Sequence, residues 1–135
     1  MLVPIFHHYP QSPVAEKIRM TFGIMGLEWY SVQIPRIPPK PLLTPLTGGY
    51  RRTPVLQVGA DIFCDSQCIA FQLGKLKSEK AAYDSSNRAL ELILGSFGEN
   101  ILFKLTVRIV LTTSMGVAPE DFIKDRSSLY FEPGW

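Results

Sequence analysis

Thr53-Pro54-Val55-Leu56-Gln57-Val58-Gly59-Ala60-Asp61-Ile62-Phe63-Cys64-Asp65-Ser66 is the stretch from which the fold is read. A Thr-Pro step opens an apolar run, a turn near Gly59-Ala60-Asp61 reverses it, a second short apolar run follows, and Asp65-Ser66 opens a helix. The pattern predicts a β-hairpin delivered into a helix capped by Asp65. Proline cannot donate to a sheet ladder, so Pro54 belongs at an edge or at the first position of its strand.

Upstream, residues 2–8 form a short apolar run suited to a buried strand, broken by Tyr9-Pro10-Gln11. Ser12 and Pro13 then start a helix: the serine hydroxyl can cap, and proline at the first helical position gives up an N–H that has no partner there anyway. Val14, Ile18, Phe22 and Met25 recur at helical spacing, with Glu16, Lys17 and Arg19 on other faces, and Gly26 ends the helix. Residues 29–34 alternate as a half-buried strand, with Tyr30, Val32 and Ile34 on one side. Five prolines and Gly48-Gly49 between residues 35 and 52 predict an irregular loop with at most one helical turn.

Downstream of a helix over Ser66–Leu76, residues 77–84 read as a linker. From about Ser85 to Thr112 Leu90, Leu94, Phe97, Ile101 and Leu105 recur at spacings of four, three, four and four. With Leu102, Val107 and Ile109 widening the stripe, that helix is expected to be covered on more than one side. Pro119 to Phe131 offers another helix. The order is therefore β-α-β-loop-β-β-α over residues 1–76, then a partial all-helical region over 85–135.

The 135 residues suffice for one modest domain or one and part of a second. A hydrophobic content of 46% with 19% charged residues excludes a disordered chain, and a net charge of +2 gives no footing for nucleic acid or an anionic membrane surface. The N-terminus lacks a charged leader region, and Pro4 interrupts its apolar run. The most apolar window, residues 101–118, contains Lys104 and Arg108 and falls short of a membrane span. The expected location is the cytoplasm, where two cysteines build no disulfide framework.

Three motifs carry a resemblance. Ser12-Pro13-Val14-Ala15-Glu16-Lys17-Ile18-Arg19 resembles the first-helix signature of cytosolic glutathione transferases, of the tau or omega kind. Thr53-Pro54-Val55-Leu56 resembles their cis-proline motif, and Asp65-Ser66 resembles the pair that holds the γ-glutamyl end of glutathione. The resemblance covers residues 1–76. It implies an α/β, thioredoxin-like N-terminal domain and a helical second domain, of which residues 77–135 resemble only the opening helices. It also implies a homodimer, with the stripe from Leu90 to Ile109 as candidate face, and a small electrophilic substrate.

Such a protein must hold glutathione and ionise its thiol. A free thiol titrates near 8.5, and lowering that by two units takes about 2.7 kcal/mol of preference for thiolate. A helix N-terminus and one hydroxyl donor can supply it, since hydrogen bonds to charged groups contribute about 1.5–3 kcal/mol. The resemblance gives this task to Ser12, with Tyr9 as the alternative. A plain helix cap is the competing reading of Ser12. Serine there, where omega-like members carry cysteine, disfavours a mixed disulfide with the enzyme.

The resemblance implies that Thr53, before Pro54, offers its backbone to the cysteinyl part, that Asp65 meets the α-ammonium, and that Ser66 receives the α-carboxylate at a helix N-terminus. Arg52 and Lys40 resemble residues that meet the glycyl carboxylate. Arg51 has an equal claim, and each could equally be a solvated loop charge. His7 and His8 stand in a strand without a matching ligand cluster, so no metal is expected. Cys64 and Cys68 read as small core residues. A non-catalytic binding or assembly module of the same fold is the second reading, favoured by the short helical part.

Overall fold

A computed structural model describes residues 2–76, 87–113 and 116–130. The chain divides into two compact units, Met1–Arg88 and Ala89–Trp135. The linker expected at 77–84 lies outside the described residues.

In the first unit the elements are β1 (Ile5–His8), α1 (Pro13–Met25), β2 (Tyr30–Gln33), β3 (Val55–Val58), β4 (Asp61–Cys64) and α2 (Ser66–Leu76). The strands form one sheet in the order β2-β1-β3-β4. β2 runs parallel to β1, while β3 is antiparallel to both β1 and β4. This is the α/β arrangement expected from the hairpin and the two helix starts. The Thr53–Pro54 and Pro38–Pro39 peptide bonds are cis, and Pro54 stands immediately before β3, where no ladder donor is lost.

α1 begins and ends where its sequence dictates. Ser12 caps it, Pro13 takes the first helical position, and Gly26 adopts a left-handed conformation at φ 59°. The Gly26 N–H bonds to Gly23 and the Leu27 N–H to Phe22, which satisfies carbonyls the helix leaves open. Its buried face is Ala15, Ile18, Thr21, Phe22 and Met25, so Ala15 takes the place expected of Val14. That face packs with Phe6, Leu56, Ile69, Ala70 and Leu73 in one core. Phe6, Phe22 and Trp29 form an aromatic cluster, with ring centroids 5.2 to 5.5 Å apart.

Three expectations are corrected here. The first strand starts at Ile5, and Leu2 and Val3 are exposed. β2 is exposed along its whole length rather than half-buried, because it is the sheet's outer strand; Tyr30 is 64% exposed. Cys68 is exposed on α2 and is no core residue, while Cys64 is half-buried.

The second unit contains α3 (Arg88–Ser96), a π-helical segment (Phe97–Leu102), α4 (Phe103–Thr113) and α5 (Glu120–Tyr130). The single helix expected from Ser85 to Thr112 is thus interrupted. In the π segment the Phe103 N–H reaches back five residues to the carbonyl of Gly98, a widened turn that side-chain periodicity does not reveal. The apolar stripe at Leu90, Leu94, Phe97, Ile101, Leu105 and Ile109 is exposed, not covered as expected. Only Leu111 of α4 is buried. α5 packs on α4 with Phe103 edge-on to Tyr130 at 5.8 Å. Among the described residues no helix is long and apolar enough to cross a membrane.

Candidate active site

Strand register assembles the site. His7 pairs with Val55, and Val55 pairs with Cys64, so one row across the sheet joins the end of β1, the start of β3 and the end of β4. The Tyr9–Ser12 turn, Thr53 and Asp65-Ser66 are the segments next to that row. Segments far apart in sequence are therefore brought to one end of the strands, the end at which α1 and α2 begin.

At the first of these helix starts, Ser12 is 3% exposed. Its Oγ accepts the Ala15 N–H at 3.1 Å, and its own N–H donates to the Tyr9 carbonyl at 3.2 Å. The capping role is therefore real. It occupies an acceptor lone pair and leaves the hydroxyl proton as a donor, at the positive end of a helix of 13 residues. Capping and donation to an anion are compatible in the same hydroxyl. Tyr9 is half-buried on the same turn.

The second helix start is Asp65-Ser66. Asp65 adopts φ 73°, a left-handed conformation that aspartate tolerates better than most residues. Its carboxylate Oδ1 accepts the N–H groups of Gln67 at 2.8 Å and Cys68 at 3.4 Å, which makes it the cap of α2. Ser66 is 3% exposed, and its hydroxyl accepts a hydrogen bond from Lys17 Nζ at 2.9 Å. Lys17 belongs to α1. The bond ties the two helices together and sets an ammonium group beside the N-terminus of α2, so dipole and full charge favour an anion at the same place. The sequence shows Lys17 only as a polar-face residue, and its partner is 49 residues away.

Thr53 leads into β3 with its hydroxyl accepting Lys40 Nζ at 3.0 Å; the same ammonium donates to the Arg51 carbonyl at 3.2 Å. Lys40 is 6% exposed, so it is not a solvated loop charge. Its own carbonyl accepts the N–H groups of Leu43 and Thr44. Lys40 thus joins the proline-rich loop to the segment before Pro54 and holds Thr53 in place. Arg51 and Arg52 are exposed.

Tyr50 went unmarked in the sequence. Burial pushes its phenol upward, and the negative charges of Asp65 and Cys64 push the same way, against smaller opposite effects of Arg52 and the Asp65 backbone. It remains a neutral donor at the mouth of α2. Burial likewise raises the Cys64 thiol, helped by Cys68 and Asp65, so Cys64 stays protonated rather than reactive. No group of three or more metal-ligating side chains occurs among the described residues.

His8 is 4% exposed and stacks on Phe6 at 4.9 Å, with Trp29 edge-on at 5.4 Å. Arg19 Nη1 lies 2.9 Å from His8 Nδ1, and Ser31 Oγ lies 2.8 Å from Nε2. Arginine can only donate, so Nδ1 is an acceptor and the imidazole is neutral with its proton on Nε2. Burial and then Arg19 lower its affinity for a proton, against the Tyr9 backbone and Glu16. As pH falls below about 6.5, the unfolded chain takes up this proton before the folded one does, so stability declines until the lower folded value is passed. Denaturant midpoints measured from about pH 7.5 to about pH 5.5 should fall with acid, and a His8→Phe variant should flatten that slope.

A thioredoxin-like sheet with a serine capping its first helix, a cis-proline before its third strand and an Asp-Ser pair at the start of its second helix defines the class. Residues 6–81 match the family model of the glutathione S-transferase N-terminal domain, and the chain belongs to that family. Among solved structures, a GST-like protein from Pseudomonas syringae is 40% identical over 96% of this chain and 46% of its own, with a TM-score of 0.70. A tau-class enzyme from mango, Mangifera indica, is 15% identical over 95% of this chain and 57% of its own, at 0.65. A theta-class enzyme from Xanthomonas axonopodis pv. citri, solved with glutathione bound, is 18% identical over 96% and 66%, at 0.68. The last two share the fold and assign no class to this chain. No curated protein matches it. The chain spans about half to two thirds of the length of these solved relatives.

Proposed function

We propose that this chain binds glutathione at one end of its sheet's strands, beside the starts of α1 and α2, and activates the thiol for attack on a small electrophile. The observation that supports the reading is the row His7–Val55–Cys64, next to which stand the Tyr9–Ser12 turn, the Thr53-Pro54 step and Asp65-Ser66. Ser12 donates its hydroxyl proton to the thiolate, with Tyr9 as the alternative donor. The Thr53 backbone pairs with the cysteinyl part, while Asp65 meets the α-ammonium. Ser66, with Lys17 behind it, receives the α-carboxylate. Lys40 and Arg52 are the cations toward the glycyl carboxylate; buried Lys40 acts there chiefly by holding Thr53. Glutathione is a co-substrate, and the scheme uses no metal.

The domain division goes with this reading: a glutathione-binding domain over residues 1–76, a linker at 77–84, and the opening of a helical domain over 85–135, acting in the cytoplasm as a homodimer. The exposed stripe from Leu90 to Ile109 favours a second reading, in which the same fold serves as a non-catalytic binding or assembly module. A turnover assay separates the two. Glutathione and a chromogenic electrophile should react faster with the wild-type chain present, and the excess rate should vanish with Ser12→Ala. Glutathione binding without any excess rate would select the module.

A further inference from the structure

We propose that Arg19, itself oriented by His8, is a positioning residue that fixes the turn carrying the thiol-activating hydroxyl. The inference rests on the glutathione reading above.

Arg19 lies nearly two turns into α1, and helical side chains lean toward the N-terminus. Its guanidinium comes back over the Tyr9–Ser12 turn. Nη2 donates to the Pro10 carbonyl at 2.8 Å, Nη1 approaches the Tyr9 carbonyl at 3.5 Å, and Nε donates to Glu16 at 2.7 Å. The Tyr9 carbonyl that faces Arg19 also accepts the Ser12 N–H. The arginine therefore grips the two residues whose placement sets the start of α1. Its fork is oriented in turn by His8 Nδ1. His8 cannot turn readily, being held between Phe6 and Trp29 with Nε2–H on Ser31.

One line of contacts thus runs from Ser31 on the outer strand through His8 and Arg19 to the turn ahead of Ser12. The charged groups facing His8 are Arg19 and Glu16 of α1; Phe6, Trp29 and Ser31 present none. Among the described residues, Ser12 Oγ is held by the Ala15 N–H. A thiolate is sensitive to small errors in the placement of its donor, and misplacement by about 1 Å can cost about a hundredfold in rate. Lysine cannot replace the grip, since it lacks the planar fork that reaches two carbonyls and an imidazole at once.

The test titrates the ultraviolet absorbance of bound glutathione thiolate in wild type, Arg19→Lys and Ser31→Ala, and measures the affinity of each for S-methylglutathione, which has no thiol to ionise. Arg19→Lys should raise the thiolate midpoint by about one pH unit, which is about tenfold less thiolate on the acid side. Affinity for S-methylglutathione should stay within about twofold of wild type, because the Ser66–Lys17 end of the site is untouched. Ser31 is exposed, so Ser31→Ala folds readily. It removes the acceptor that fixes the His8 tautomer, and should shift the midpoint the same way by less. Circular dichroism confirms that both variants are folded. Wild-type ionisation with both variants folded and at the wild-type midpoint overturns the positioning role alone. Failure of the wild type to bind either ligand overturns the glutathione reading and this inference with it.

Discussion

Ser12→Ala should leave glutathione bound but mostly protonated at neutral pH, with the thiolate midpoint raised by one to two units and conjugation slowed by about 10- to 100-fold. The hydroxyl is buried at the N-terminus of α1, with one lone pair committed to the Ala15 N–H and its proton available to an anion. Two roles must be separated, because losing the cap also costs about 1 kcal/mol of stability. Ser12→Gly separates them, since glycine at this position costs the helix only a few tenths of a kcal/mol. If Ser12 only caps, Ser12→Gly should be nearly as active as wild type. If it stabilises the thiolate, Ser12→Gly should be as impaired as Ser12→Ala while melting close to wild type. Thiolate absorbance, turnover and a thermal melt on the three proteins decide between the roles.

The second large effect lies at the other end of the peptide. Ser66→Ala removes a buried hydroxyl that accepts from Lys17 and can donate to a carboxylate, and Lys17→Met keeps the aliphatic stem while deleting the charge. Each should weaken glutathione by about 10- to 100-fold, the range expected for hydrogen bonds to charged groups. Because the two side chains touch, the double variant should lose less than the product of the single losses. Additive losses would mean that they act on the ligand independently. Stability should change less than affinity, since the Lys17–Ser66 contact is partly solvated.

How far the sequence reached can be traced through these residues. Ser12-Pro13 and Gly26 are local signals, because caps and breakers depend on a few consecutive backbone groups; both ends of α1 are found where the sequence puts them. The same holds for α2 over Ser66–Leu76 and for the hairpin of β3 and β4. Lys17 and Arg19 are not legible as site residues, and Lys40 is legible only as a cation toward the glycyl carboxylate, not as the anchor of Thr53. What distinguishes each cation is a partner across the fold: Ser66 for Lys17, His8 and the turn carbonyls for Arg19, Thr53 for Lys40. β2 misled because alternation of apolar and polar residues marks a strand without saying whether another layer covers it. The π-helical segment misled for the opposite reason, since its side chains keep near-helical spacing while the backbone bonds five residues back.

The central claim is that the strand ends beside the starts of α1 and α2 form a glutathione site, and the most direct test is calorimetric titration of reduced glutathione into the wild-type chain beside Ser66→Ala. The account predicts saturable one-to-one binding by the wild type, weakened by at least about tenfold in Ser66→Ala. Absence of heat at millimolar glutathione, or equal affinity in the two proteins, would contradict it.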